Sequence, residues 1–102
     1  MTISMIMTES NLTISVAGRV DANSAPLLEA ELNASLDGVT DLTLDFKELN
    51  YISSAGLRVL LAAQKRMMKQ GGIRVVNVCE VVMEVFEMTG FTDIMTIEQA
   101  QC

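Results

Sequence analysis

Leu49-Asn50-Tyr51-Ile52-Ser53-Ser54-Ala55-Gly56-Leu57 joins a short apolar stretch to the start of an amphipathic run. Leu57, Leu60, Leu61 and Met67 or Met68 then recur at helical spacing, with Arg58, Lys65, Arg66 and Lys69 on the opposite side. A helix is therefore predicted to begin among the small residues 53–56 and to stop at Gly71-Gly72. The first backbone N–H groups of a helix have no partner inside it, and the helix dipole is positive there. On the residues alone, Ser54 or Ser53 has three readings. The simplest is an N-cap. The second is a regulatory serine, because a helix start stabilises an added phosphate. The third is a nucleophile, which would need a base. The chain has no histidine, and no Ser-x-x-Lys spacing lies near this helix start.

Working outward, Ile3, Met5 and Met7 alternate with polar residues, as do Leu12, Ile14 and Val16, so two strands are predicted to form a hairpin across Glu9-Ser10-Asn11. Gly18 is expected to end the second. Asp21-Ala22-Asn23-Ser24 before Pro26 signals a helix start, and Leu27, Leu28, Leu32 and Leu36 supply its apolar positions up to Asp37-Gly38. Leu42, Leu44 and Phe46 mark a third strand, with 47–50 as a connection. Ile73 to Val78 is a β-branched run suited to a central strand. Val82, Val85, Phe86 and Thr89 share one side of a last helix. Gly90 caps it, Phe91 packs back on its final turn, and Phe86 is expected in the core. Ile94 to Ile97 is a final short strand or extended segment. The order β-β-α-β-α-β-α-β predicts an α/β fold: a mixed sheet of four to five strands with helices mainly on one face. Residues 1–102 read as one domain, with 97–102 a loose tail.

Composition narrows the chemistry. A net charge of −6 disfavours nucleic acid as a partner. No apolar run approaches the ~20 residues needed to span a bilayer, and Met1 to Thr8 shows neither a basic leader nor a cleavage pattern, so no membrane insertion is expected. Cys79 and Cys102 have no metal-binding spacing; a disulfide between them is conceivable, but a reduced, cytoplasmic chain is the simpler reading. No catalytic group, metal or cofactor is expected. Asp21 reads either as a functional acid or as a turn residue. Asp45 reads as a polar strand-end residue. Of the eight methionines, Met5, Met7, Met67 and Met88 read as core, Met68 or Met83 as surface contacts. A lone small domain is expected to be a monomer when free.

Several separated blocks resemble the STAS domain, in particular the stand-alone anti-sigma factor antagonists: Gly18-Arg19-Val20-Asp21, Asp45-Phe46 with Leu49-Asn50-Tyr51-Ile52, Ser54-Ala55-Gly56-Leu57, Gly71-Gly72 and Val85 to Phe91. The resemblance covers nearly the whole chain. It implies a non-enzymatic bacterial signalling protein that binds an anti-sigma factor serine kinase and releases its sigma factor, is inactivated by serine phosphorylation, and is reset by a serine phosphatase. It places Ser54 at the phosphoacceptor position and Asp21 at an acidic position beside it. Many antagonists carry Asp directly before the acceptor, whereas this chain has Ser53, which makes Ser53 the alternative acceptor. Partner binding is expected to use Asp21, Asn23, Ser53, Ala55, Gly56 and Arg58, around the helix start and the Gly18–Asn23 loop. An alternative function is a STAS docking subunit of a lipid-transport or sensory complex without sigma factor involvement.

Overall fold

The structure is a computed structural model and describes residues 1–100. Strands β1 (Thr2–Thr8) and β2 (Asn11–Val20) form the expected antiparallel hairpin. Helix α1 (Ala25–Ser35) returns the chain to β3 (Asp41–Asp45), which lies parallel to β2. After β4 (Leu49–Ile52) come α2 (Ser54–Gln70), β5 (Gly72–Val78) and α3 (Glu80–Thr89). A 3-10 turn over Phe91–Asp93 then leads to β6 (Thr96–Gln99). The sheet order is β1-β2-β3-β5-β6, with β4 paired to β2 off that path. This is the mixed α/β architecture read from the sequence, with one more strand.

That extra strand is β4, and it exists because Gly18 bends β2 instead of ending it. At φ +92 Gly18 adopts a backbone conformation that other residues rarely take. The register shifts between Gly18 and Arg19. β2 pairs with β3 as far as Ser15 and in parallel with β4 from Gly18 on, Gly18 facing Leu49, Arg19 facing Tyr51 and Val20 facing Ile52. Only four residues long, with Leu49 and Ile52 buried and the two between them exposed, β4 shows no two-residue alternation. Pairing with β2 defines it.

One face of the sheet carries the core. Leu12, Ile14, Val16, Leu42, Leu44 and Val75 are buried there, while the alternating Thr13, Ser15, Thr43 and Asp45 remain partly exposed. Helix α1 contributes Leu28 and Leu32, and α2 contributes Leu57, Leu60, Ala63 and Met67. Leu27, expected among the apolar positions of α1, is 62% exposed. Met67 is buried in the core; Met88 at 87% and Met7 at 51% lie outward, against the expectation that both fill the core. Phe86 is fully buried, stacked between Phe46 at 6.4 Å and Phe91 at 5.9 Å between ring centroids. It packs α3 against the end of β3 and the 3-10 turn.

The end of the described chain also differs from the sequence reading. Met95 is buried, which delays the last strand to Thr96–Gln99. The tail expected over 97–102 is strand through Gln99, and the Ala100 N–H donates to the Val78 carbonyl at 2.8 Å. Cys102, one of the two cysteines considered for a disulfide, lies outside the described residues.

Candidate functional site

The parallel pairing of Val20 with Ile52 brings two chain segments out of the sheet together. One is the turn from Asp21 into α1. The other is the start of α2. The Ser53 N–H donates to the Val20 carbonyl at 2.8 Å, which ties the second segment to the first.

At the start of α1 the polar side chains satisfy one another. The Asp21 carboxylate oxygen Oδ1 accepts from the Asn23 and Ser24 backbone N–H groups, both at 3.0 Å, and from the Ser24 hydroxyl at 3.2 Å. Ser24 Oγ accepts from the Asp21 N–H at 2.9 Å and lies 3.0 Å from the Arg19 carbonyl. The N–H groups of Ser24 and Asn23 hold the Asp21 carboxyl below the ordinary carboxylate range; partial desolvation opposes them, while the Ser24 hydroxyl and the Arg19 guanidinium add to the lowering. Of the two readings of Asp21, the geometry displays the turn residue. Asn23 is exposed beside it.

The start of α2 divides its two serines. Ser53 is the N-cap: its backbone is extended, at φ −92 and ψ 174, and its Oγ accepts from the Gly56 N–H at 3.3 Å. Ser54 is the first helical residue. It is exposed, and among the described residues its hydroxyl makes no hydrogen bond. Arg58 is one turn on and exposed, its Nε 3.5 Å from the Ser54 carbonyl. Ala55 and Arg58 line a shallow groove of about 280 Å³ with Ala22, Pro26 and Glu29 of the α1 start.

Gly56, expected among the partner-binding residues, sits deeper than the others of that set. It is buried, and a Cβ there would come within 2.7 Å of Ile52 Cγ1 and 2.8 Å of Val20 Cγ1. Its smallness lets α2 sit on the paired ends of β2 and β4; it faces the core rather than solvent.

One feature of this rim escapes the sequence. The Arg19 guanidinium lies over the Tyr51 ring, 4.3 Å from its centroid. The two residues are register partners, so the contact becomes visible only once Asn50-Tyr51 is recognised as part of a strand beside β2. Among the described residues no group of three or more His, Cys, Asp or Glu side chains is placed to hold a metal ion. Among the described residues no helix is long and apolar enough to cross a membrane.

The mixed sheet with its three helices is the fold of a STAS domain. The family model described as "Mlab, STAS domain" matches residues 4–97. The anti-sigma-B factor antagonist of Bacillus subtilis (strain 168) is 33% identical over 90 residues, covering 87% of this chain and 83% of that protein. The chain thus belongs to the STAS-domain family and, within it, to the anti-sigma factor antagonists, which are regulatory proteins and not enzymes. The crystal structure of an anti-sigma factor antagonist from Mycobacterium paratuberculosis superposes with a TM-score of 0.87 at 24% identity, covering 95% of this chain and 84% of that one. The Bacillus cell fate determinant SpoIIAA, in its phosphorylated form, superposes with a TM-score of 0.74 at 19% identity, covering 94% of this chain and 90% of that one. These two likenesses speak to the fold.

Proposed function

We propose that this protein binds an anti-sigma factor of the serine-kinase type, so that the sigma factor is released, and that phosphate on Ser54 turns the binding off until a phosphatase removes it. The observation that carries this reading is the division of labour at the head of α2. Ser53 spends its hydroxyl on the cap, and Ser54 offers an exposed, unbonded one at the first helical position. A kinase can reach Ser54 without breaking the helix start.

The physics of both states agrees with a switch. In the free protein, a phosphate of charge about −2 meets the positive end of the α2 dipole, with the Arg58 cation one turn away. The fold tolerates it. In a complex, the same phosphate brings bulk and charge to a rim where Ala22, Ala55 and Pro26 allow a partner to approach closely. The ionised Asp21 carboxylate at the neighbouring turn makes the local field more negative. Losing ~3 kcal/mol of interaction there lowers affinity about a hundredfold.

The test is calorimetric titration of the cognate anti-sigma factor with unmodified protein, with protein phosphorylated on Ser54, and with Arg58→Glu. The unmodified protein should bind and the phosphoprotein should bind at least a hundredfold more weakly. Arg58→Glu should weaken binding about tenfold while its melting temperature holds, since an acid near a helix N-terminus suits the dipole. Equal affinity of the modified and unmodified proteins would refute the switch.

A further inference from the structure

The chain has four arginines, and three of them are engaged. The Arg19 guanidinium rests on the Tyr51 ring, Arg66 Nη2 pairs with the Asp37 carboxylate at 2.7 Å, and Arg74 Nε donates to the Thr43 hydroxyl at 3.2 Å. Arg58 is different. Its Nε lies 3.5 Å from the Ser54 carbonyl, at the outer limit of a hydrogen bond, and among the described residues its Nη groups have no partner. Two acids are near. Glu29 lines the same groove, and Asp21 occupies the neighbouring turn. Neither forms an ion pair with Arg58, and the Asp21 carboxylate already accepts from Asn23 and Ser24. An exposed cation therefore sits at the head of α2 with its donors open.

The side chain is also aimed. Residues four apart on a helix stand one above the other, their Cβ atoms ~5–6 Å apart. Side chains lean toward the helix N-terminus, so a long one at the later position lies over the earlier residue. The contact of Nε with the Ser54 carbonyl shows Arg58 laid back in this way. Ser54 is the residue four before it, exposed, with a hydroxyl that makes no hydrogen bond among the described residues. Ser53 is five before it, and its hydroxyl is turned to the Gly56 N–H. Lys65, the next cation along α2, lies about 16 Å along the axis from Ser54 at ~1.5 Å per residue.

We propose that Arg58 is the receptor, within the same chain, for a phosphate on Ser54, its guanidinium donating to two of the phosphate oxygens. This rests on the reading of Ser54 as the acceptor and assigns the residue that holds the modified state. The chemistry fits the pair. A guanidinium presents a planar fork that matches phosphate oxygens, and such charge-assisted bonds are stronger than neutral ones. No ion pair must be broken to form it, whereas Arg66 would have to leave Asp37 and Arg19 the Tyr51 ring. The bond is made across one helical turn, so α2 need not move. The pair has a consequence for the switch. In the unmodified protein the Arg58 cation lines the groove with Ala22 and Pro26 and is open to an acidic group of a partner. In the phosphoprotein the same cation is turned onto the phosphate. Modification then removes a favourable contact in addition to introducing bulk and charge.

Phosphoserine installed at position 54 of the full chain during translation, which bypasses the kinase, allows the pair to be tested by phosphorus NMR titration. A neighbouring cation favours the dianion and so eases the second ionisation of the phosphate. The parent phosphoprotein should have a second ionisation constant about threefold larger than its Arg58→Gln counterpart, which keeps the same helix dipole. Arg58→Lys should recover part of the difference, since it has the charge without the fork. The difference should shrink at ~1 M salt, as for any exposed pair. In nitrogen-labelled protein the Arg58 Nε–H signal should shift when the phosphate is present, while that of Arg74 stays. Without phosphate, Arg58→Gln should melt at the temperature of the parent, because the exposed side chain has no ion pair. Coinciding midpoints for the parent and Arg58→Gln, or an unmoved Arg58 signal, overturn the pair even where the phosphoprotein binds its anti-sigma factor weakly. Separated midpoints uphold it even where modified and unmodified proteins bind equally, a result that refutes the switch alone.

Discussion

Two helices start side by side at the paired ends of β2 and β4, and they treat their polar residues in opposite ways. At α1, Asp21 and Ser24 bind each other and the nearby backbone. At α2, Ser53 does the capping and Ser54 keeps a free hydroxyl in solvent. The same residue types therefore serve structure at one start and leave a reactive group at the other. On the proposed reading, Ser54 is open to modification because the cap is supplied by the residue before it. Chemistry and capping then fall on different side chains, and either can be changed alone.

The comparison depends on both starts sharing one floor, and the largest effect should come from disturbing it. Gly56 lies against Ile52 and Val20, the residues that pair the two segments. Gly56→Ala should cost about 1–3 kcal/mol by overpacking, although alanine is the better helix former. Urea unfolding will measure it. A stabilised variant would mean that the helix can lift off the floor and that the two starts are not rigidly coupled.

The two serines should separate next. Ser53→Ala removes the cap and should lower stability by about 1 kcal/mol. Ser54→Ala should stay within ~0.5 kcal/mol of the parent, as expected for an exposed side chain with no hydrogen bond. Equal losses in thermal denaturation would show that the division of roles between them does not exist.

A smaller effect should appear at α1 as a dependence on pH. The Asp21 carboxyl is held below its usual value of 3.8 in the folded protein. A group with a depressed folded value stabilises the fold above the unfolded value, and that contribution is lost as pH falls through the folded one. Asp21→Asn keeps the acceptor oxygen but cannot titrate. Its melting temperature should therefore fall less than that of the parent between pH 5 and pH 2 (roughly the span over which such a group titrates). Parallel curves would mean that the Asp21 bonds to Asn23 and Ser24 are not maintained in solution.

Much of this arrangement was legible from the residues. The alternation in β2 and β3, the helical spacing in α2 and the capping cluster before Pro26 all have local causes, and each became the element expected. Phe86 is buried and stacked on Phe91 as its spacing predicted. What escaped was non-local. Strand β4 is defined by its partner, and Gly18 looked like a strand end because a positive φ at a bend and at a terminus leave the same residue. Gly56 reads as a partner-binding residue because four small residues in a row carry no sign of which one faces inward. Ser53 and Ser54 were indistinguishable for a related reason: a one-residue change in where the helix begins exchanges cap and first helical position.

That exchange is what the most direct measurement must decide. Incubation of the protein with its anti-sigma factor and ATP, followed by fragmentation mass spectrometry, locates the phosphate. The account predicts it on Ser54, with Ser53→Ala still modified and Ser54→Ala unmodified and still able to bind. Phosphate on Ser53 alone would contradict the assignment of cap and acceptor, and phosphate on neither serine would remove the switch.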